Sequence, residues 1–292
     1  MRVVTGDGTE LPATLTLPTG DPRAGIVVLH GAAEGQRSYF LYEHLARVAV
    51  AEGVAVLRYD RRPSLDGSDV PLHTQAADAL AGLRHLHGTI GPASTGLWGF
   101  SQGAWAATFA AAAEPEIVRF LICVSWCAVS PAEQMRIGCA RQLRIHGYGD
   151  ADVEELTAVR LACERYLRTG EHRVATQSLL DTATTRPWFA HAYLPTTLPD
   201  PGSWEDMDVD PLSALRVLTC PVLAFYGETD EWIPLDRSIA AWECARATGT
   251  LTDLTLVRLP TTDHLPTVGG RPEPAALSSQ CSDALATWLR SM

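Results

Sequence analysis

The chain has 292 residues, 46% apolar and 20% charged, which suffices for one large domain, or one domain with an insertion, around a sizeable core. Its net charge is −11, its 23 cations are all arginine and no basic run occurs, so nucleic acid and anionic membranes are poor partners. No stretch approaches the roughly 20 apolar residues of a membrane span, and residues 1–18 lack the charged-then-apolar order of a secretory signal. The seven cysteines are odd in number and scattered. A reducing cytoplasm is therefore the expected compartment, with most of these cysteines acting as small buried hydrophobes.

Read in chain order, "LPATLTLP" (11–18) alternates as a strand does. "AGIVVLHG" (24–31) is a continuous β-branched run, the mark of a strand buried on both faces. A helical period follows at 38–53 and ends at Gly53; "VAVLRYD" (54–60) is the next buried strand. Residues 73–88 are helical, 94–100 form a strand, 104–115 a strong helix former that stops before Pro115, and 118–126 another buried strand. Strand and helix thus alternate from 24 to 126, which predicts right-handed β-α-β units and a mainly parallel sheet. Residues 131–212 break this rhythm: they are helical, polar and free of buried-strand runs, and they close on an aromatic segment around Trp188 and Trp204. Strand signals return at 220–227 and 254–260, with helices at 236–249 and 274–291. The expected organisation is an α/β core from 1–130 and 213–292, interrupted by a helical cap at 131–212.

The stretch "GFSQG" (99–103) has the form G-x-S-x-G between a strand and a helix. A serine hydroxyl is a weak nucleophile near neutral pH and needs a base within reach, and the base needs a carboxylate to fix its tautomer. Such groups converge at the carboxyl ends of parallel strands. Asp230 stands in the loop after "PVLAFYG", and His264 in the loop after "LTLVRLP". Glu228, Glu231 and Asp236 compete with Asp230 for the acid; its place after "YGET" and before "WIP" favours it. Asp263 adjoins His264 too closely to reach its inner nitrogen and reads as a loop cap. His30, after a buried strand, is expected to support the loop that follows. Glu34 and Asp60 are candidates for charge at a site mouth. A lone G-x-S-x-G is common by chance; the order Ser101, Asp230, His264 at three element ends is not.

With "VVLHGAAEG", "YDRR", "GFSQG", "PVLAFYGETDEWIP" and "DHLP" in this order, the chain resembles the serine α/β-hydrolases, within the esterase, dienelactone-hydrolase and prolyl-oligopeptidase-like group. The resemblance implies the α/β-hydrolase fold, a mostly parallel sheet flanked by helices with a helical cap. It implies that Ser101 attacks an acyl carbon, that His264 moves the proton and that Asp230 orients the imidazole. Backbone N–H groups of Gln102 and Ala32 then hold the oxyanion, each commonly worth about 3 kcal/mol of barrier. Trp126, Trp188, His191 and Tyr193 are the candidates for substrate contact; the bland alternative is that the aromatic groups only glue the cap to the core. The expected substrate is a small-to-medium ester or thioester, with cyclisation or acyl transfer by the same three residues, or a non-catalytic binding role, as alternatives. No cofactor or metal is expected: there is no lysine-bearing phosphate loop, H-E-x-x-H or paired C-x-x-C. The sequence leaves the oligomeric state open, a homodimer included.

Overall fold

The computed structural model describes residues 1–32, 35–63, 69–91, 93–249, 251 and 253–292. Among them, β1 (Arg2–Val4), β2 (Glu10–Thr16), β3 (Ala24–Leu29), β4 (Val54–Tyr59), β5 (Ser94–Phe100), β6 (Phe120–Val124), β7 (Val222–Gly227) and β8 (Leu254–Leu259) form one sheet. Its spatial order is β1-β2-β4-β3-β5-β6-β7-β8. From β4 to β8 all neighbours pair in parallel, while β1 and β2 join antiparallel at one edge. This is the α/β-hydrolase architecture. β1, which sequence reading missed, is three residues long and too short to show a period.

Helices α1 (Phe40–Ala51), α2 (Leu72–Ile90) and α3 (Gln102–Ala113) make the crossovers between the early strands. After β6 come α4 (Pro131–Ile145), α5 (Asp150–Thr169), α6 (Arg173–Thr184), a 3-10 turn at Pro187–His191 and the short α7 (Leu212–Leu215). Then α8 (Leu235–Ala247) joins β7 to β8, and α9 (Ser279–Ser291) ends the chain. The period of two in the strands splits the core into two layers. Val27, Leu29, Leu57, Leu97 and Leu121 face one side with Leu83 and Trp105. Ile26, Val28, Val56, Trp98 and Ile122 face the other with Tyr42 and Leu289. Strands covered on both faces are nearly apolar throughout, and β3, β4, β6 and β7 are buried at every residue, with Arg58 of β4 the one charged member.

Two of the boundaries that differ from the sequence reading have a plain local cause. The strand expected to run to 126 ends at Val124, because Ser125 takes a left-handed φ of 55° and turns the chain away. The helix expected from 274 begins at Ser279. A 3-10 turn at Pro274–Ala276 precedes it, Leu277 is extended, and the Ser278 hydroxyl accepts from the Cys281 N–H at 3.4 Å as the cap.

The helices between β6 and β7 pack on a third cluster of their own, including Cys139, Leu143, Leu156, Tyr166, Leu180 and Trp188. Polar ties fasten them to the sheet domain. Arg141 of α4 donates to the carbonyls of Asp230 and Ile233, at 3.3 and 2.7 Å. Asp206 accepts from the Leu72 N–H at 2.7 Å, supplying a cap that α2 lacks in its own sequence. Burial pushes the Asp206 carboxyl up. No helix among the described residues is long and apolar enough to cross a membrane.

α9 seals the second layer through Trp288, which meets Phe120 edge-on at 5.9 Å between centroids. Trp288→Ala should therefore cost about 3–5 kcal/mol of stability, read as a lower urea midpoint at unchanged slope; a loss under about 1 kcal/mol would show that α9 is not part of the core.

Candidate active site

β5 delivers Ser101 to the carboxyl edge of the sheet, and α3 starts at the next residue. Ser101 has φ 53° and ψ −117°, a region that a residue with a side chain enters at a cost of about 1–3 kcal/mol. Its backbone N–H donates to the Val124 carbonyl at 2.9 Å, which hooks the turn onto the neighbouring strand. The two glycines of the motif make this corner possible. A Cβ on Gly103 would lie 2.6 Å from the Leu29 carbonyl carbon and oxygen of β3, and one on Gly99 would strike the Gly103 carbonyl. The serine stands between glycines because strand, turn and helix approach too closely for anything larger.

Adjacent strand ends bring the other two groups to it. The Ser101 Oγ lies 2.8 Å from the His264 Nε2, and the His264 Nδ1 lies 3.1 and 3.0 Å from the two Asp230 oxygens. A carboxylate only accepts, so Nδ1 carries the proton and Nε2 is left as the acceptor for the serine hydroxyl. The Asp230 side chain is fully buried, whereas that of His264 keeps 18% of its surface open. Asp230 Oδ1 also accepts from the N–H groups of Trp232 and Ile233, at 2.8 and 3.1 Å. These bonds explain why "DEWI" marks the acid: its own downstream backbone cradles it. Burial alone pulls the His264 imidazole down, but the charge and hydrogen bond of Asp230, with Glu231 and Asp263 behind, raise it above the usual histidine range. Asp263 is the loop cap that the sequence suggested, its Oδ1 accepting from the Leu265 N–H at 3.1 Å. Burial pushes the carboxyls of both Asp263 and Glu231 up.

Sequence reading missed the residues that steady this arrangement. Ser125, at the end of β6, donates its hydroxyl to the His264 carbonyl at 2.9 Å. The Tyr42 hydroxyl oxygen accepts from the Gly31 N–H at 3.0 Å and so holds the loop after β3. Arg61 reaches the Gln102 Oε1 at 2.9 Å and the carbonyls of Gly31 and Ala32. Their partners are mainly backbone atoms distant in sequence, which no local motif announces; only "YDRR" hinted at Arg61. His30 supports the same loop as expected. It lies between Tyr42 and Tyr59, its Nε2 donates to the Tyr59 carbonyl at 2.6 Å, and burial pushes it down to about 4. Asp60 is taken up by Arg37 rather than left free at the mouth, and Glu34 lies outside the described residues.

A cavity of about 690 Å³ opens on Ser101. Ala32, Gln102 and Trp105 form its floor with the serine, and residues 131–206 supply most of its wall, among them Met135, Leu167, Leu198 and Trp204. Of the four residues expected to contact substrate, Tyr193 lines this cavity, edge-on to Trp232 at 5.0 Å between centroids. The other three are placed elsewhere. Trp126 is fully buried beneath the sheet edge against Trp242, because the turn at Ser125 directs the chain inward. Trp188 is buried among α4–α6 with its indole N–H on Glu155 at 3.3 Å, and His191 stacks on His146 with centroids 3.6 Å apart.

A family profile described as the alpha/beta hydrolase family matches residues 26–277. Among curated proteins, none matches the chain significantly in sequence. Solved structures resemble its fold across its whole length. An esterase of Pyrococcus furiosus superposes with a TM-score of 0.63 at 14% identity, covering 100% of this chain and 91% of the other. Est1E of Butyrivibrio proteoclasticus, with ferulic acid bound, gives 0.61 at 18% identity, covering 100% and 96%. A thermophilic esterase of Thermogutta terrifontis gives 0.57 at 22% identity, covering 100% and 98%.

The elbow geometry generates a prediction independent of chemistry. Gly103→Ala forces a Cβ into β3 and should destabilise by about 1–3 kcal/mol. A thermal midpoint within 1 °C of wild type, on the order of experimental error, would show that the corner has slack.

Proposed function

The chain belongs to the alpha/beta hydrolase family and is an enzyme of it, and from that premise we propose that it is a carboxylic ester hydrolase working through an acyl group on Ser101. One observation carries the reading: Ser101 Oγ, His264 and the buried Asp230 lie in one hydrogen-bonded line, with the serine at the floor of the cavity. The esterases among the structural neighbours agree with it in fold. No observation favours cyclisation or acyl transfer over attack by water.

In this reading the Ser101 oxygen attacks the ester carbonyl while its proton passes to the His264 Nε2. Asp230 holds Nδ1–H and stabilises the imidazolium. The carbonyl oxygen, now negative, is met by the N–H of Gln102 and the N–H of Ala32. Gln102 is the first residue of α3, so its N–H has no helical acceptor four residues back and stands at the positive end of the helix. The N–H of Gly31 is already given to Tyr42, which leaves the role to the next residue along. The C–O bond of the tetrahedral species breaks, and His264 returns the proton to the departing alcohol oxygen. Water, deprotonated by the same nitrogen, then releases the acid and restores the serine. Helices α4–α6 act as the cap, and with it the cavity volume suits an ester of small to medium size.

Two outcomes test this. Ser101→Ala should abolish hydrolysis of p-nitrophenyl esters, by at least about 10⁴-fold in kcat, with an unchanged thermal transition; undiminished turnover would remove Ser101 from the mechanism. His264 must be neutral to accept a proton, and its basicity is raised in the folded protein. Activity should therefore fall as pH drops, with the acid limb of kcat/KM centred above the ordinary histidine value of 6.5; a limb centred below that value would contradict the assignment of the base.

A further inference from the structure

Arg61 follows β4 by two residues and lies beside the cavity floor without being part of the line of Ser101, His264 and Asp230. Its side chain is only 14% exposed. Nη1 donates to the Gln102 side-chain oxygen at 2.9 Å and to the Gly31 carbonyl at 3.4 Å, and Nη2 donates to the Ala32 carbonyl. Asp69 completes the group: its Oδ1 lies 3.7 Å from Arg61 Nη1, and its Oδ2 accepts from the Gln102 side-chain Nε2. One guanidinium therefore joins the loop after β3 to the residue after Ser101. These are the two segments whose N–H groups must converge on one oxygen atom in the proposed reaction.

We infer that Arg61 is a positioning residue, which fixes the spacing between the Ala32 and Gln102 N–H groups and so sets how well the enzyme holds a tetrahedral oxyanion. This role follows from the geometry and rests on the ester-hydrolase reading. Gly31 and Ala32, which follow β3, lie in neither a helix nor a strand that would hold their carbonyls. The Gly31 carbonyl shares one peptide plane with the Ala32 N–H, so the bond that Arg61 makes to that carbonyl fixes the direction of the Ala32 N–H. The planar fork of arginine can hold two backbone oxygens and a side chain in one geometry, whereas a lysine offers a single compact charge. Gln102 thereby gains a role for its side chain: it anchors Arg61, while its backbone faces the substrate. Because an oxyanion is present only in the transition state and its analogues, the loss of Arg61 should appear in kcat and leave ground-state binding nearly unchanged.

The test uses Arg61→Met, which keeps the apolar stem, and Arg61→Lys. Each is compared with wild type for kcat and KM on p-nitrophenyl butyrate, for thermal midpoint, and for inhibition by an aryl trifluoromethyl ketone, which forms a tetrahedral oxyanion on a serine. The expected result for Arg61→Met is a fall in kcat of about 10- to 100-fold, less than the loss of a donor itself. KM should stay within about twofold, and ketone affinity should fall in parallel with kcat/KM. Arg61→Lys should recover only part of the loss. A folded Arg61→Met with wild-type kcat, or one whose KM rises while ketone affinity holds, overturns the role of Arg61 and leaves the ester-hydrolase reading intact. Absence of a Ser101 adduct in wild type, read by mass spectrometry after labelling with a fluorophosphonate, overturns the hydrolase reading and this inference with it. If Arg61→Met does not fold, Gln102→Ala removes the anchor and retains the backbone N–H. The same parallel loss of kcat/KM and ketone affinity is then expected, and wild-type values for both refute the inference.

Discussion

The site depends on one strained residue. Ser101 occupies a left-handed conformation that its own side chain disfavours, and local sequence cannot hold it there. What holds it is the crowding of three elements: β5 entering, α3 leaving, and β3 pressed against Gly103. The hydrogen bond from its N–H to the Val124 carbonyl adds the fourth side. Sheet packing therefore pins a half-buried hydroxyl at a fixed height above the strand ends. The loops after β7 and β8 need only reach that point, and the parallel register of β6, β7 and β8 brings them there.

Around that fixed point the loops are organised from outside rather than by their own sequence. Asp230 is cradled by the N–H groups of Trp232 and Ile233, and Arg141 from α4 grips the carbonyls of the same turn. The His264 backbone is held by Ser125, whose own left-handed φ sits at the end of the neighbouring strand. The loop after β3 is held by Tyr42 on an N–H and by Arg61 on its carbonyls. Each reactive group thus has a supporting group on a different element. Removing a support shifts a distance rather than a charge, and distances of 2.8–3.1 Å leave little room for that.

The fold was legible because its signals are local. Strands buried on both faces are apolar at nearly every position, so β3, β4, β6 and β7 declare themselves as near-continuous runs. Ser101, Asp230 and His264 could be picked out by standing just past such runs, where a parallel sheet gathers side chains. Their neighbours in space could not. Ser125 and Tyr42 act on backbone atoms 139 and 11 residues away, and a hydroxyl in a sequence looks the same whether or not it is so engaged. The substrate contacts were the least legible. Trp126 stands two residues past β6, where a pocket residue would be expected, but the φ of Ser125 sends it inward. Trp188 and His191 read as pocket aromatics, yet they pack against other parts of the insertion. Hydrophobicity predicts that such side chains will be covered and does not say by what.

The separation of the apolar cluster of α4–α6 from the two layers of the sheet has a consequence for how such a protein changes. The wall of the cavity comes mostly from residues 131–206, while the reactive atoms stand on the sheet. A substitution at Met135, Leu167 or Leu198 remodels the space that a substrate must fill without disturbing the crowding that holds Ser101. Which molecule fits is therefore set mostly by residues 131–206 and the proposed chemistry mostly by the sheet, with Arg141 of α4 a tie between them. The first can drift in small, independent steps, while the second tolerates almost none.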